Sequence, residues 1–167
     1  MIKSDKSKHN ICIASIKRST MKPYDFTWTT FYEFNSTFQD VNSNLSLELS
    51  DNELIICSTV IDYNNFSILT TRRLITKENG KQDIGEIEGA TGKQYGDFKG
   101  YKEKLTFGQI QLHSGVILKY FIETGKASMV MIYGVRTLLQ TQEMTNSQVN
   151  KVTRIWNKQN EKQTLPD

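Results

Sequence analysis

Few side chains in this 167-residue sequence could carry out acid–base, nucleophilic or metal chemistry. The chain has two histidines, His9 and His113, and its two cysteines lack the C-x-x-C spacing that is common in zinc sites. Cys57 stands in the apolar run 54–57, which favours a buried structural thiol over a reactive nucleophile. The sequence therefore predicts no catalytic residues, no metal and no cofactor, and we expect a protein that is not an enzyme.

One glycine-containing stretch invites comparison with a phosphate-binding loop. Residues 89–93 read Gly-Ala-Thr-Gly-Lys, but the P-loop template requires glycine where Ile87 stands and a hydroxyl residue where Gln94 stands. That hydroxyl residue holds the magnesium ion in such loops, and Gln94 cannot replace it. The sequence therefore argues against nucleotide binding through this stretch.

The best candidate for a binding surface is the segment 93–104, here called the lysine–aromatic segment, in which lysines alternate with aromatic residues between glycines. Its candidate binding residues, together with two arginines from an earlier part of the chain, are Lys93, Tyr95, Phe98, Lys99, Tyr101, Lys102, Lys104, Arg72 and Arg73. Such a segment can offer ammonium and backbone N–H groups to an anion, while its rings meet an apolar or interfacial partner. The alternative is a solvated loop whose lysines only maintain solubility.

The elements that must position these residues begin with two hairpins. Two runs rich in β-branched residues, 54–61 and 66–71, flank the turn 62–65 and predict the first hairpin. The dipeptide Asn79-Gly80 predicts a second, two-residue hairpin turn, which is followed by a strand at 82–88. The middle of the chain is therefore expected to form an antiparallel sheet.

Three further strands follow from alternation. Leu45, Leu47 and Leu49 alternate with polar residues and predict a half-buried strand before the first hairpin. Strands are also predicted at 105–112 and 116–123. Gly108 interrupts the alternation of the former, which indicates either a bulge or a close approach of the backbone to a neighbour.

Helical periodicity appears on both sides of this sheet. Aromatic residues at three- and four-residue steps predict a helix over 26–40 that packs on the core. Helices are also predicted over 127–142, where Gly134 marks a close packing contact, and over 146–160. We expect residues 1–22 to form a flexible N-terminal arm, 23–160 a single globular domain and 161–167 a flexible tail.

Composition limits the classes of partner. The formal net charge of +3 is mild, whereas nucleic-acid-binding domains carry clustered Lys and Arg, so no nucleic acid is expected. No window approaches the roughly 20 apolar residues of a membrane-spanning helix, and the N-terminus lacks the apolar region of a signal peptide. Two cysteines are too few for a disulfide framework, so reduced thiols in a cytoplasmic protein are expected.

The stretch 66–75 resembles the bacterial branch of the pleckstrin-homology-like (PH-like) superfamily, in which an apolar strand often runs into a Leu-Thr-x-x-Arg-Leu/Val-Ile step. The matching residues are Leu69, Thr70, Arg73, Leu74 and Ile75. The resemblance covers about residues 45–142 and implies a bent antiparallel barrel of seven strands, capped by the helix at 127–142. The lipid-binding loop of that family follows its first strand, whereas the lysine–aromatic segment comes late, so the family's phosphoinositide site is not carried over.

We therefore expect an α+β protein with a bent antiparallel sheet or small PH-like barrel of six to seven strands, a capping helix and extra flanking helices. The leading hypothesis for function is a non-enzymatic binding or adaptor domain that engages a protein partner or an anionic surface such as lipid. One alternative is a small intracellular inhibitor or immunity-type protein. The other is an enzyme or small-ligand carrier with a pocket inside the barrel, which requires Glu86, Glu88, Tyr120 and Glu123 to face inward.

Overall fold

The computed structural model describes residues 3–42, 44–100 and 102–164, except for the side chains of Lys93, Gln163 and Thr164. Over these residues the chain is an α+β protein, as predicted, with four α-helices and two antiparallel sheets. The helices are α1 (Asp5–Ser19), α2 (Asn35–Val41), α3 (Ser128–Gln140) and α4 (Asn146–Thr164). Short 3-10 turns at Gly125–Ala127 and Thr141–Glu143 flank α3.

The sheets contain five and three strands. The first has the order β1-β2-β3-β4-β5, with β1 (Thr29–Phe31), β2 (Ile55–Asp62), β3 (Asn65–Thr70), β4 (Arg73–Glu78) and β5 (Lys81–Glu86). The second has the order β6-β7-β8, with β6 (Thr91–Gln94), β7 (Leu105–Gln111) and β8 (Ile117–Glu123). The described residues thus form eight strands rather than six or seven. A closed barrel is not shown, and the PH-like resemblance stays a prediction.

The central strands of the five-stranded sheet are buried on both faces, whereas its edge strand β5 is mostly exposed. Side chains alternate along β3, so that Phe66 and Ile68 belong to one hydrophobic cluster while Leu69 belongs to another. The first cluster is completed by Tyr32, Phe38 and the segment around Leu45, whereas the second is completed by α1, α3, α4 and the three-stranded sheet. Two hydrophobic layers therefore hold the central sheet between them.

The hairpin predictions are confirmed. β2 and β3 pair across the turn after Asp62, whose Oδ1 accepts a hydrogen bond from the Asn64 backbone N–H at 2.8 Å. Asn79 and Gly80 join β4 to β5 with φ angles of 50° and 84°, the left-handed pair that this two-residue turn requires. The strands at 105–112 and 116–123 are also confirmed, as β7 and β8.

At both Gly108 and Gly134 a neighbouring side chain lies close to the backbone, as predicted. The β7–β8 register runs unbroken through Gly108, so this glycine marks no bulge; it leaves room for the ring of Tyr120 on the opposite strand. Gly134 lies in α3, where a β-carbon would come within 2.8 Å of the Cys57 sulfur on β2. The helices predicted over 127–142 and 146–160 are confirmed as α3 and α4.

The prediction of a flexible arm over 1–22 was wrong, because residues 5–19 form helix α1. Its start is capped by Ser4, whose hydroxyl accepts a hydrogen bond from the Ser7 backbone N–H at 3.1 Å. All six residues from Ile11 to Ile16 are buried, since α1 packs between α3, α4 and β2. The helix is thus part of the core. Of the predicted flexible tail 161–167, the first four residues continue α4 and the last three lie outside the described residues.

The predictions of a helix over 26–40 and a strand over 45–49 were also wrong. The former segment divides into strand β1 and the short helix α2, because residues 29–31 pair with β2 and are held extended. The aromatic residues whose spacing predicted a helix, Trp28, Phe31, Phe34 and Phe38, consequently face different surroundings: Phe38 is fully buried whereas Phe34 is 70% exposed. The segment around Leu45 packs on the sheet without strand pairing.

Candidate functional site

The lysine–aromatic segment divides into exposed lysines and partly buried rings. Lys99, Lys102 and Lys104 are exposed, and none of them takes part in an ion pair of the described residues. Tyr95 and Phe98 are half-buried and pack against the core, so their rings mainly hold the segment in place. Tyr101 and the side chain of Lys93 lie outside the described residues.

The two predicted arginines are not brought to this segment. Arg72 makes a two-point ion pair with Asp5 at the start of α1, with Nη2 2.9 Å from Oδ2 and Nε 3.1 Å from Oδ1. Arg73 donates from Nε to the buried carboxylate of Glu53 at 2.8 Å. Burial raises the pKa of Glu53, but the hydrogen bonds from Arg73 and Thr70 outweigh it and the pKa lies below its ordinary value. Both arginines therefore stabilise the fold through ion pairs within the chain.

The four polar residues required by a pocket inside the barrel do not converge. Glu86 and Glu88 are exposed, whereas Tyr120 and Glu123 are buried. The Glu123 carboxylate accepts backbone hydrogen bonds of 2.8 and 3.1 Å from the residues that lead into β1. The Tyr120 ring lies against Gly108, and burial raises the pKa of its hydroxyl.

The histidine and cysteine side chains in the core are held in inert forms. His9 lies with Nε2 2.8 Å from the Tyr32 carbonyl oxygen, and burial lowers the pKa of its imidazole. Burial also raises the pKa of both Cys12 and Cys57, so each thiol stays protonated at neutral pH. Within the described residues, no group of three or more His, Cys, Asp and Glu side chains could hold a metal ion.

A concave surface lies elsewhere, in a cleft of about 830 Å³ where the end of α1, the chain around β1 and the last turns of α4 meet. We call it the α1–α4 cleft. It is lined by Lys17, Arg18, Ser19, Thr20, Met21, Lys22, Tyr24, Phe31, Glu33, Phe34, Thr37, Asn157, Asn160 and Glu161. Two distant parts of the chain, residues 17–37 and 157–161, therefore build one surface.

Apolar side chains are unusually exposed in this cleft. Met21 is 73% exposed and Phe34 is 70% exposed, the two highest values for any large apolar side chain of the described residues. Tyr24 and Phe31 form an edge-to-face pair beside them, with ring centroids 5.0 Å apart. An apolar patch of this kind, surrounded by polar groups, marks a binding surface more often than scattered exposed residues do.

The cations of the cleft differ in how they are held. Lys17 forms an ion pair with Glu33. Arg18 is exposed, and its guanidinium carbon lies 5.2 Å from the centroid of the Trp156 ring. Lys22 is exposed, with Nζ 6.0 Å from the centroid of the Tyr24 ring. Neither Arg18 nor Lys22 takes part in an ion pair of the described residues.

Two shielded oxygen atoms in the wall of the cleft lack hydrogen-bond partners. One is the hydroxyl of Thr20, a residue that is only 6% exposed directly after the end of α1. The other is Oδ1 of Asn160, whose Nδ2 donates to the Ala14 carbonyl oxygen at 3.2 Å. Shielded polar atoms without partners cost stability, and in native proteins each one calls for an explanation.

A second cleft of about 580 Å³ lies at the other end of α1. It holds three cations, Lys3, Lys8 and Arg72, and three carboxylates, Asp5, Glu86 and Glu88. Because its charges balance and Asp5 is already paired with Arg72, this cleft presents a weaker binding surface than the α1–α4 cleft.

Within the described residues, no helix has the length and apolar character that crossing a membrane requires. Searches against protein-family models, curated proteins and solved structures found no match to the chain.

Proposed function

We propose that this chain is a non-enzymatic binding protein that docks a protein partner in the α1–α4 cleft. The observation that carries the proposal is that Met21 and Phe34, the most exposed large apolar side chains described, both line the same cleft. Fully burying such a side chain contributes about 1.5–3 kcal/mol, so covering both would supply a substantial part of a docking free energy.

The composition of the cleft supports a protein partner. Aromatic residues, Met and Arg are enriched in the cores of protein–protein interfaces, and the cleft combines Tyr24, Phe31 and Phe34 with Met21 and Arg18. The Glu33–Lys17 pair and the exposed Lys22 supply polar groups beside this apolar centre. Binding at this cleft uses no catalytic group.

A photo-crosslinking experiment tests the docking site. Phe34 is replaced by p-benzoylphenylalanine in the cells that naturally produce the chain. The same replacement at Tyr63 serves as the control, because the Tyr63 side chain is 61% exposed and does not line the cleft. We expect one discrete adduct from position 34 that is absent from position 63 and weakened by Met21→Ser. The same adducts from both positions, or none from position 34, would refute the proposal.

The adaptor and inhibitor hypotheses share this docking site and differ in what the bound chain does to its partner. Once the crosslinked protein is identified, its own activity can be measured with increasing amounts of the chain. An adaptor leaves that activity intact, whereas an inhibitor or immunity-type protein abolishes it at a one-to-one ratio.

Attraction to an anionic lipid surface is a second candidate function, and the observation that favours it is the exposure of Lys99, Lys102 and Lys104 without ion pairs. Vesicles that contain phosphatidylserine should bind the chain at low salt and release it as salt rises, because exposed charges are screened over about 8–10 Å at physiological ionic strength. Replacing the three lysines by Gln should abolish this binding. The control with the same loss of charge replaces the exposed lysines of α4, Lys151, Lys158 and Lys162, and equal effects of the two sets would refute a specific role.

A further inference from the structure

We infer that the part of the partner seated in the α1–α4 cleft is an extended peptide segment that carries an acidic side chain next to an apolar one. This inference rests on the proposed function and specifies the chemistry of the occupant. Three features of the cleft, its cations, its shielded oxygens and its exposed apolar groups, each require a different part of such a segment.

The cations require an acid. The lining contains three cations and two carboxylates, Glu33 and Glu161. The Lys17–Glu33 pair cancels one charge of each sign, which leaves Arg18 and Lys22 against Glu161. The Arg18 guanidinium carbon lies 5.2 Å from the centroid of the Trp156 ring, and its planar fork of N–H groups can form two parallel bonds to a carboxylate.

The shielded oxygens require hydrogen-bond donors. The Asn160 carbonyl oxygen can only accept a hydrogen bond, and the Thr20 hydroxyl can accept one as well. Free phosphate, or the phosphate of a lipid headgroup, offers mainly acceptors and leaves Asn160 unsatisfied. An extended peptide offers backbone N–H donors along its length together with a carboxylate side chain. Both oxygens are shielded in the free chain, so contact with a peptide donor requires the side chains of the wall to shift.

The exposed apolar groups require an apolar side chain. Met21 and Phe34 line the same cleft as Arg18 and Lys22. An apolar residue beside the acidic one can cover them while the carboxylate meets the cations. Met adapts its shape to different partners, and Phe supplies a rigid contact area.

The probe that tests this inference is a phage-displayed library of random dodecapeptides, selected on the full chain and counter-selected on the Met21→Ser, Phe34→Ser double variant. We expect enriched peptides that place Asp or Glu within two positions of an apolar residue. Synthetic peptides of the enriched sequence should bind the double variant Arg18→Gln, Lys22→Gln about tenfold more weakly than the parent chain. A loss of this size corresponds to one charge-assisted hydrogen bond. The matched variant Lys81→Gln, Lys151→Gln removes the same charge from exposed lysines that do not line the cleft and should leave the affinity unchanged.

Thr20→Val separates contact with the occupant from a purely structural role. Valine keeps the shape of threonine and suits the extended backbone at this position, where φ is −115° and ψ is 133°. Removing the hydroxyl without a partner should raise the melting temperature of the free chain while weakening peptide binding about fivefold, the worth of one hydrogen bond. A structural role alone predicts the first change without the second.

The possible outcomes distinguish this inference from the proposed function. Peptides that bind at Met21 and Phe34 but show no acidic preference, or that ignore the arginine, lysine and threonine variants, would overturn the inference and leave the docking site standing. If no peptide is enriched or all bind outside the cleft, the inference is overturned, and the photo-crosslink at position 34 decides separately whether the docking site falls with it.

Discussion

Replacing Gly108 by alanine should destabilise the chain, because Tyr120 occupies the space that a β-carbon needs. A β-carbon built on Gly108 lies 2.3 Å from Cζ and 2.5 Å from the hydroxyl oxygen of Tyr120, distances far inside van der Waals contact. The ring is fully buried, and its strand is paired with β7 directly opposite the glycine, so neither partner can withdraw easily. Overpacking of this kind typically costs about 1–3 kcal/mol, and we expect a value near the upper limit.

The assay is thermal and urea unfolding followed by circular dichroism. A loss of about 3 kcal/mol should lower the melting temperature by roughly 6–12 °C for a chain of this length. Gly92→Ala is the control in the same sheet, since its β-carbon would make only an ordinary 3.7 Å contact with Leu139; we expect a change within about 0.5 kcal/mol. The penalty of Gly108→Ala should also shrink when Tyr120 is replaced by Leu.

Equal stability of Gly108→Ala and the parent chain would refute the reasoning. It would mean that Tyr120 has free space to move into. The hypothesis of a ligand carrier requires such a hollow interior beside the sheet, and would then gain support. The prediction therefore tests whether the interior is packed, as the buried position of Tyr120 indicates.

Three further predictions concern buried polar groups. Glu53→Gln should cost about 3 kcal/mol at neutral pH because it leaves the half-buried Arg73 without a charged partner. The pKa of Glu53 lies below its ordinary 4.5, so the carboxylate contributes its full stabilisation above pH 4.5 and loses it as the pH falls through the folded-state pKa. The urea midpoint of the variant should therefore decline less on acidification than that of the parent chain. Burial holds the pKa of His9 below its ordinary 6.5, so the folded chain favours the neutral imidazole more than the unfolded chain does, and stability falls as the pH falls below 6.5. His9→Gln should therefore flatten the decline of the melting temperature between about pH 7 and pH 5. Tyr120→Phe removes a buried hydroxyl without a partner and should keep or raise the melting temperature, whereas a clear loss would reveal a hydrogen bond at that site.

The parts of the fold that could be predicted from sequence depend on local signals. Asn79 and Gly80 specify a turn by their own backbone preferences, and the β-branched runs on either side of Asp62 need only each other to form a hairpin. Gly108 and Gly134 could be predicted as close-contact positions, because a glycine within a strand or helix often lies where a neighbouring side chain or backbone comes close. These features need little knowledge of the rest of the chain.

The missed elements depend on tertiary surroundings. Helix α1 is buried at six consecutive residues, Ile11 to Ile16, and therefore lacks the alternation of apolar and polar faces by which a surface helix is recognised. The aromatic spacing at 26–40 resembles that of such a helix face. The backbone that enters β1 is nevertheless extended, because it donates hydrogen bonds to the carboxylate of Glu123, about 90 residues later in the chain. A periodicity argument contains no information about such a distant partner.

The candidate site was missed for a similar reason. Its lining comes from residues 17–24, 31–37 and 157–161, and none of these segments has a binding motif by itself. The sequence did contain one usable signal, the apolar Met21 among polar neighbours at the end of a basic stretch. The arginines predicted to bind a partner are held instead by Asp5 and Glu53, so charge by itself does not distinguish a binding residue from a structural one.

The two ends of α1 differ in a way that favours the C-terminal end as the docking site. At its N-terminus, Asp5 is held by Arg72 and by a 2.6 Å hydrogen bond from Thr71, so the Asp5 carboxylate and the Arg72 guanidinium are already paired. At its C-terminus, Arg18 has no ion pair in the described residues and the Thr20 hydroxyl has no hydrogen-bond partner. A helix fixed at one end and through its buried centre presents the other end in a defined orientation, which lowers the entropy that docking must remove. The interactions that hold α1 in the core thus also prepare its C-terminal end to receive a partner.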